Sequence, residues 1–286
     1  MKEENKKLYE DRFHLIYGDL SRGSDLSGIC EDVDYVVNFG AKTFVDFSIQ
    51  DAEPFIASNI VGTYNLLEDA RRYYSLNKRL KRFIQVSTDE VYGAILEGAY
   101  KEDARLNPTN PYAASKAGGD MLALAYYHTY GLPIIITRTE NNFGPYQHPQ
   151  KAMPKFVKNA LEGRKLPIYG DGEHRRMWLY VEDHCLAILH LLNHGHVGEV
   201  YHVAGEQELT NNKLAAMILR IMGKKDEEIP KLVEHIDDFN IRPGHDKRYA
   251  LNVEKLKGTG WKPKYDLESA MKKTVMWYVE NQWWLK

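Results

Sequence analysis

Apolar and polar positions alternate along the first half of the chain in blocks that have the lengths of strands and helices. Four apolar runs predict strands, at Phe13–Tyr17, Val33–Phe39, Phe83–Val86 and Pro133–Thr137. A helical period of apolar residues runs from 55 to 73, and a second helix is predicted at 112–130, between Pro111 and Gly131. Strands that alternate with helices favour an α/β fold with a doubly wound parallel sheet.

After Asn141 the pattern becomes irregular, which indicates a second, smaller domain. Helices are expected at 154–162, 182–192 and 211–222, and the short run Val200–Val203 is expected to return to the first sheet. We therefore assign 1–141 to the first domain, with 176–206 returning to it, and assign 142–175 and 207–286 to the second. The second domain is expected to be α/β and to cover the carboxyl edge of the sheet, where open α/β folds bind ligands.

Composition indicates a soluble globular protein and excludes several classes of partner. Hydrophobic residues make up 43% and charged residues 27% of the 286 residues. A net charge of −2 gives no reason to expect nucleic acid or an anionic membrane as a partner. Cys30 and Cys185 suit neither a disulfide framework nor a metal site, so we expect no metal and a cytoplasmic location. The sequence contains neither a signal-peptide core nor an apolar run long enough to span a membrane.

Several candidate catalytic residues follow the end of the third predicted strand. This strand leads into Thr88, Asp89 and Glu90, which places an alcohol and two adjacent carboxylates at its carboxyl end. Further along, Tyr112 and Lys116 are one helical turn apart and therefore share one face of their helix. Together these residues indicate oxidation of an alcohol by the Tyr/Lys pair and elimination of water by the two acids.

Taken alone, Tyr112 and Lys116 have a structural interpretation, since such pairs occur by chance on many helices. The alcohol-bearing strand end upstream favours catalysis, because an oxidoreductase needs a base for the hydroxyl proton as hydride leaves. A free tyrosine has a pKa of about 10 and is a poor base at neutral pH, whereas a nearby ammonium favours the phenolate. We therefore assign the pair to catalysis.

Asp89 and Glu90 also have a structural interpretation, since adjacent acids after a strand are commonly solvated turn residues. Consecutive strand residues point to opposite faces, so both acids reach one site only if the strand ends there and the chain turns. Elimination needs a base for a carbon-bound proton and an acid for the departing hydroxyl, and two carboxyl groups in unlike environments can divide these roles. With Tyr112 downstream, we favour catalysis for both acids.

Eight segments carry a combined pattern: Gly18–Leu20, Ala41–Ser48, Asn59–Thr63, Ser87–Gly93, Asn110–Lys116, Asn141–Tyr146, Trp178–His184 and Arg242–Asp246. In this pattern the chain resembles the extended short-chain dehydrogenases/reductases, and among them the dTDP-glucose 4,6-dehydratases, over nearly its whole length. The Thr-Asp-Glu triplet at 88–90 separates these dehydratases from the related 4-epimerases, which usually lack the acidic pair. The resemblance implies a Rossmann-type fold in which the first domain binds NAD and the second binds a nucleotide sugar.

The resemblance also implies a role for each central residue. Tyr112 would take the proton of the sugar 4-hydroxyl, assisted by Thr88, while NAD accepts hydride from C4. Glu90 would remove the acidified C5 proton, and Asp89 would protonate the departing 6-hydroxyl. Return of hydride to C6 would convert an NDP-glucose, with dTDP-glucose favoured, to a 4-keto-6-deoxy sugar. The implied class is an NAD-dependent hydro-lyase of deoxysugar biosynthesis.

By the same resemblance, further residues would form two binding surfaces. The cofactor would contact Asp19, Leu20, Ala41, Thr43, Ser58, Lys116 and Asn142. The nucleotide sugar would contact Thr88, Asn141, Lys151, Pro167, Tyr169, Arg176, Asn211, Arg242 and His245. Thr43 is open to a contact with the sugar instead. The arginines suit a diphosphate, which a guanidinium binds in bidentate fashion, and Arg242 is the stronger candidate of the two.

The chain departs from the family pattern at several positions. Phe44 stands where histidine is usual, Met177 where aspartate is common, and Glu140 where small residues are usual. These changes are expected to alter the sugar pocket or the nucleotide preference. The family opens with a strand and a Gly-x-x-Gly-x-x-Gly turn that holds the NAD pyrophosphate, whereas this sequence starts at what corresponds to the third strand. We therefore expect an N-terminally incomplete sheet and NAD site.

Two alternatives to the dehydratase interpretation stay open. One is another NAD-dependent enzyme of the superfamily, an epimerase or decarboxylase that acts on a UDP-sugar, although Asp89 and Glu90 argue against it. The other is a truncated, non-catalytic nucleotide-sugar binder. The family is usually homodimeric, which would pair the helices at 55–73 and 112–130 with their mates. Alternatively, the apolar faces of these helices cover only their own sheet.

Overall fold

The computed structural model describes residues 12–237 and 246–286, which have an α/β fold built on a parallel sheet of the Rossmann type. The strands of this sheet, in spatial order, are β1 (Tyr35–Asn38), β2 (Arg82–Thr88), β3 (Ile134–Thr139) and β7 (Val200–Val203). Every pairing in it is parallel, and Thr88 at the end of β2 is the register partner of Thr139 at the end of β3. The carboxyl ends of the two central strands therefore meet at one edge.

Helices cover both faces of this sheet. They are α1 (Val45–Gln50), α2 (Glu53–Phe55), a π-helical segment (Ile56–Val61) that continues into α3 (Gly62–Asn77), α4 (Pro111–Tyr130) and α6 (Val181–His194). On one face, Leu67 of α3 and Ala123 of α4 share a buried cluster with Phe83. On the other face, Ile188 of α6 packs in a cluster with Ile84. The alternation of Phe83 and Ile84 between the two clusters follows from the two-residue period of a strand.

Helix α4 shows how the local sequence sets its boundaries. The Asn110 side chain accepts a hydrogen bond from the backbone N–H of Ala113 (2.9 Å), and Pro111 occupies the first turn, where its missing N–H costs nothing. Gly131 ends the helix with φ of 66°, a left-handed conformation that glycine adopts readily. The predicted helix at 112–130 is confirmed.

The remaining elements form a second, smaller layer. Strands β4 (Asn141–Phe143), β6 (Arg175–Tyr180) and β8 (Glu208–Thr210) form one sheet, and β5 (Leu166–Tyr169) pairs with β9 (Val233–Ile236). The helices here are α5 (Ala152–Leu161), α7 (Asn211–Ile221), α8 (Ile229–Leu232), α9 (Glu254–Gly258) and α10 (Leu267–Glu280). Helices α5, α7 and α10 bury one apolar cluster that includes Met153, Leu214 and Met271. None of the helices within 12–237 and 246–286 is both long and apolar enough to cross a membrane.

Residues 176–206 are divided between the two layers. Strand β7 pairs with β3, in line with the expected return to the first sheet, whereas β6 pairs with β4 and β8. The expected return of the whole stretch was therefore wrong for β6. The reason is that β4 follows β3 directly in sequence and offers β6 a parallel edge before α6 carries the chain back to the first sheet. The division into two functional domains stays a prediction.

The predicted strand at Phe13–Tyr17 is wrong. These residues are assigned to no strand, and the exposed fraction of their large apolar side chains ranges from 50% for Phe13 to 88% for Tyr17. A strand needs a neighbour for its backbone N–H and C=O groups, and no strand of the described chain pairs with this segment. A strand-like apolar pattern was therefore insufficient here. On the side away from β2, β1 likewise pairs with none of the described strands.

Asp69 of α3 binds the backbone of the segment before β1, and its substitution tests how much this contact stabilises the fold. Its two carboxylate oxygens accept hydrogen bonds from the backbone N–H groups of Gly28 (3.0 Å) and Cys30 (2.8 Å). The change Asp69→Ala leaves these groups without their acceptor, and we expect the free energy of unfolding in urea to fall by about 1–3 kcal/mol. As a control, Asp226→Ala removes an exposed carboxylate paired with Arg220, for which we expect a change of at most about 1 kcal/mol. Equal stabilities for the two variants would contradict this account.

Candidate active site

The centre of the site is the carboxyl end of β2 and the turn that follows it. Strand β2 ends at Thr88, and a 3-10 turn begins at Asp89 and runs to Tyr92. The Thr88 hydroxyl donates to Asp89 Oδ1 (2.9 Å) and accepts from the backbone N–H of Glu90 (3.3 Å). Because the strand gives way to a turn at this point, both acids leave the sheet at the same edge. This is the condition under which adjacent acids can serve one site.

Helix α4 brings a phenol and an ammonium to the same edge. Tyr112 and Lys116 are both buried. The backbone N–H of Tyr112 donates to Ser48 Oγ (3.1 Å), which ties the first turn of α4 to α1. Lys116 Nζ donates to the carbonyl oxygen of Val86 on β2 (2.6 Å). The structure thus brings the five proposed catalytic residues together around the end of β2.

Burial and the surrounding charges favour the protonated form of the Tyr112 phenol. Burial raises the pKa of Tyr112, the negative charge of Glu90 raises it further, and a hydrogen bond with Thr88 lowers it. Lys116 directs its ammonium at a backbone carbonyl, and burial lowers the pKa of Lys116. The expected support of the phenolate by Lys116 is therefore not evident in this arrangement.

Asp89 and Glu90 lie in unlike environments. Asp89 is buried, and this burial, together with the charge of Glu90, raises the pKa of Asp89 to about 7. Glu90 is half-buried, lines an open cleft, and accepts a hydrogen bond from Asn110 Nδ2 (3.2 Å). A carboxyl group that titrates near neutral pH suits a general acid, and a carboxylate that faces the cleft suits a base.

A cleft of about 990 Å³ opens beside these acids. Six predicted site residues line it: Thr43, Glu90, Asn141, Lys151, Tyr169 and Arg176. Further positive charge comes from Lys155, Lys158 and Arg164. The volume lies in the range of small-molecule sites, and the basic lining suits a phosphorylated ligand.

Arg176 is held rigidly at the cleft by groups that the sequence interpretation did not assign to the site. Its Nη2 donates to the backbone oxygen of Asp246 (2.8 Å), and its guanidinium lies 4.4 Å from the centre of the Tyr249 ring. Asp246 Oδ2 accepts from the Tyr249 hydroxyl (2.7 Å) and from Thr109 Oγ1 (2.5 Å). Asp246 belongs to a segment of the family pattern, so the sequence did carry a signal for it. For Tyr249 that pattern carried none.

Other predicted substrate contacts lie elsewhere. Pro167 is in β5 and Asn211 begins α7, and neither is among the described residues that line the cleft. The backbone N–H of Asn211 donates to the carbonyl oxygen of His174 (3.2 Å). Arg242 and His245 lie outside the described residues. Their assignment to the nucleotide sugar stays a prediction.

The predicted cofactor residues surround the ends of β1 and β3. Leu20 packs closely on Gly40 and Gly62. A Cβ atom would lie 2.1 Å from the Leu20 side chain if added at Gly40, and 2.8 Å from it if added at Gly62. Asp19 is exposed and accepts from the backbone N–H of Ser21 (2.9 Å), which lowers the pKa of Asp19. Through Leu20, the polypeptide before β1 therefore packs against the carboxyl end of that strand.

The other predicted cofactor residues are more scattered. Ala41 follows β1 and Ser58 lies in the π-helical segment, both half-buried. The Thr43 carbonyl accepts from Lys151 Nζ (3.1 Å). Asn142 donates to Thr139 Oγ1 (3.3 Å), and its buried Oδ1 has no hydrogen-bond partner among the described residues. Asn142 therefore keeps an acceptor that a ligand can satisfy.

The three departures from the family pattern all have structural consequences. The Phe44 ring lines the cleft, 4.3 Å from Lys151 Nζ and 4.9 Å from the His148 ring. Met177 and Glu140 contact each other, because the backbone N–H of Met177 donates to Glu140 Oε2 (2.9 Å). Glu140, which the sequence marked only as unusual, is buried at the end of β3.

Comparison with known families and curated proteins gives a consistent result. Residues 1–274 match the family described as GDP-mannose 4,6 dehydratase. The chain is 43% identical over 274 residues to a dTDP-glucose 4,6-dehydratase of Streptomyces niveus, which covers 95% of the chain and 78% of that protein. It is also 43% identical to the low-salt glycan biosynthesis protein Agl12 of Haloferax volcanii, over 93% of the chain and 82% of that protein.

Solved structures show the same relationship. The dTDP-glucose 4,6-dehydratase DesIV of Streptomyces venezuelae, solved with NAD, superposes with a TM-score of 0.89 at 41% identity, over 96% of this chain and 82% of that one. A UDP-glucuronic acid 4-epimerase of Bacillus cereus, also solved with NAD, has a TM-score of 0.85 at 27% identity, over 97% and 85% of the two chains. The fold is thus shared with epimerases, whereas the higher identity lies with dehydratases.

Asn110 offers a test of the contact between helix α4 and Glu90. The change Asn110→Ala removes both the helix cap and the donor to Glu90, and we expect the free energy of unfolding to fall by about 1 kcal/mol. The matched variant Asn110→Asp keeps a cap acceptor at a helix N-terminus and should retain most of that stability while it loses the donor to Glu90. Urea unfolding distinguishes the two. Equal losses of stability in both variants would show that the cap is not what Asn110 contributes.

Proposed function

The chain belongs to the GDP-mannose 4,6-dehydratase family, and we propose that it is an NAD-dependent nucleotide-sugar 4,6-dehydratase whose substrate is an NDP-glucose, with dTDP-glucose favoured. The observation that carries the proposal is the turn at Thr88. It sends a buried acid and a cleft-lining acid to the same edge of the sheet as Tyr112. An alcohol oxidation site alone needs no such acidic pair.

Each catalytic residue has a separate role, which follows from its environment in the site. Tyr112 takes the proton of the sugar 4-hydroxyl. The Thr88 hydroxyl, which donates to Asp89 Oδ1 in the resting arrangement, turns to donate to the phenolate as it forms. Glu90, in the cleft, removes the proton at C5, which is acidified by the adjacent ketone. Asp89 holds a proton near neutral pH and gives it to the 6-hydroxyl, which leaves as water. The product is an NDP-4-keto-6-deoxy sugar.

NAD supplies the hydride acceptor at C4 and the hydride donor at C6 when it is bound. Two observations support its place beside Tyr112. Lys116 donates to Val86 near the end of β2, and Asn142 donates to Thr139 at the end of β3. The buried Asn142 Oδ1 has no partner among the described residues. The raised pKa of Tyr112 also fits a site that takes up the positive charge of an oxidised nicotinamide. We assign Lys116 to the nicotinamide ribose and place Asn142 beside the cofactor.

The other predicted cofactor residues form a wall on the β1 side of the sheet. Asp19, Leu20, Ala41, Thr43 and Ser58 are assigned to it, and the packing of Leu20 on Gly40 supports a closed surface there. The substrate diphosphate is assigned to the basic cleft, where main-chain carbonyls and Tyr249 orient the Arg176 guanidinium. Asn141, Lys151 and Tyr169 line the same cleft.

A homodimer is the assembly that we propose. The outer faces of the π-helical segment, α3 and α4 carry exposed apolar side chains, among them Ile56, Val61, Tyr64 and Met121, each 40–49% exposed. Burial of this surface by a second copy would stabilise a dimer. We also propose a cytoplasmic location, which the unpaired state of Cys30 and Cys185 supports.

The proposed function is tested by product analysis. The protein is incubated with NAD and either dTDP-glucose or UDP-glucose, and the sugar product is identified by NMR. We expect a 4-keto-6-deoxy sugar from dTDP-glucose. The change Glu90→Gln should lower kcat by about 10²–10⁴-fold, because it removes the base for the C5 proton. An epimerised sugar, or a bound nucleotide sugar that stays unchanged in the presence of NAD, would contradict the proposal.

The two acids are distinguished by hydrogen exchange at C5. In deuterated water we expect Asp89→Asn to retain exchange of the C5 proton of the oxidised sugar, since Glu90 is intact, while loss of the 6-hydroxyl is slowed. Glu90→Gln should abolish the exchange. Mass spectrometry of the recovered sugar nucleotide measures both effects. Loss of exchange in Asp89→Asn with retention in Glu90→Gln would reverse the assignment.

A further inference from the structure

Glu140 lies beside Asp89 because of the register between β2 and β3. Thr88 and Thr139 are partners across these strands, and Asp89 and Glu140 are the residues that follow them. Neighbouring strands are about 4.8 Å apart, so the two residues leave the sheet next to each other. Only 4% of Asp89 and 3% of Glu140 is exposed. Two carboxyl groups are thus enclosed together at the edge where the proposed chemistry takes place.

Glu140 has little freedom to turn away from this position. Its Oε2 accepts from the backbone N–H of Met177 (2.9 Å), and its Oε1 accepts from the backbone N–H of Leu251 (2.9 Å). On Asp89, Oδ1 accepts from the Thr88 hydroxyl (2.9 Å), whereas Oδ2 is buried without a hydrogen-bond partner among the described residues. Asp89 Oδ2 is therefore the oxygen best placed to carry a proton.

Among the described residues, charged groups of both signs surround the two acids. Glu90 adds a third negative charge next to Asp89, and Tyr112 is an uncharged neighbour on α4. Positive charge comes from Arg176, which acts on both acids, and from Arg248, whose own carboxylate partner is Glu208. Burial raises the pKa of Glu140, and the charge of Asp89 raises it further. Two adjacent buried carboxyl groups in this balance cannot both ionise readily at neutral pH.

We propose that Glu140 forms a carboxyl pair with Asp89 that holds one proton at neutral pH and so keeps Asp89 in its proton-donating form. Glu140 is then a positioning residue that acts through Asp89. The consequence for catalysis rests on the proposed dehydratase function. In elimination the pair gives its proton to the 6-oxygen as the C6–O bond breaks, the C5 proton passes to Glu90, and the C5–H electron pair forms the C5–C6 double bond. The pair recovers a proton from solvent after water has left.

The first experiment is an infrared titration of the resting protein, which needs no turnover. The C=O stretch of protonated carboxyl groups is recorded against pH for the wild type, Glu140→Gln and Asp89→Asn, and difference spectra isolate the pair. We expect the wild-type band to titrate near neutral pH. In each variant the remaining acid loses its like-charged neighbour, so the midpoint should move down by about one to two pH units. An unchanged midpoint in either variant that folds overturns the proposal.

The second experiment is the pH dependence of kcat with dTDP-glucose. Removal of the Glu140 charge makes Asp89 ionise at lower pH, so the fall of kcat on the basic side should move to lower pH in Glu140→Gln. Glu140→Asp restores the charge and should restore the wild-type profile in part. A lower kcat with an unshifted profile in Glu140→Gln would show a structural role only, and overturns the proposal. If the wild type has no dehydratase activity, the proposed function fails, while the infrared titration still decides on the pair.

A matched control separates lost charge from lost hydrogen bonds. Glu102 also accepts a backbone hydrogen bond, from the N–H of His202 (3.3 Å), and belongs to the polar network around Tyr92. Glu102→Gln should leave both the infrared midpoint and the pH profile unchanged. A shift in Glu102→Gln equal to that in Glu140→Gln would overturn the specific pairing. Circular dichroism establishes that each variant is folded before it is compared.

Discussion

The parallel, in-register pairing of β2 with β3 is the constraint on which the site depends. It makes the two strands end together, at Thr88 and Thr139, and it fixes which residues leave the sheet side by side. The turn after Thr88 then presents Asp89 and Glu90, and Glu140 is the residue that follows Thr139. A shift of one residue in this register would reverse the direction of every side chain on the strand. The positions of the acids thus follow from backbone pairing more than from contacts between side chains.

Burial next to this strand end gives the acids their separate chemistry. Asp89 is shielded from water and has a pKa near neutral, whereas Glu90 reaches the cleft. The same burial works against Tyr112, whose pKa is raised by the enclosure and by the charge of Glu90. The same enclosure thus favours the protonated form of both Asp89 and Tyr112.

Much of the fold and the core of the site could be predicted from the sequence, because both rest on local patterns. The amino-acid pattern predicted a strand at Phe83–Val86, a helix at 112–130 and the shared helical face of Tyr112 and Lys116. The observed strand extends two residues further, to Thr88. Glu140 was noticed only as unusual, since its proximity to Asp89 depends on a register between strands far apart in sequence. Tyr249 was missed because nothing in its own segment indicates the guanidinium that it stacks against. The strand predicted at 13–17 failed because pairing depends on a neighbour, which local hydropathy does not reveal.

The central claim is that oxidation, elimination and reduction take place on one sugar at this strand end. It is tested most directly with dTDP-glucose that carries deuterium at C4, incubated with the protein and NAD, followed by mass spectrometry and NMR of the product. The account predicts a 4-keto-6-deoxy sugar in which the deuterium has moved from C4 to C6 of the same molecule. Deuterium that stays at C4 would contradict it, and so would a product in which the hydrogen added at C6 comes only from solvent.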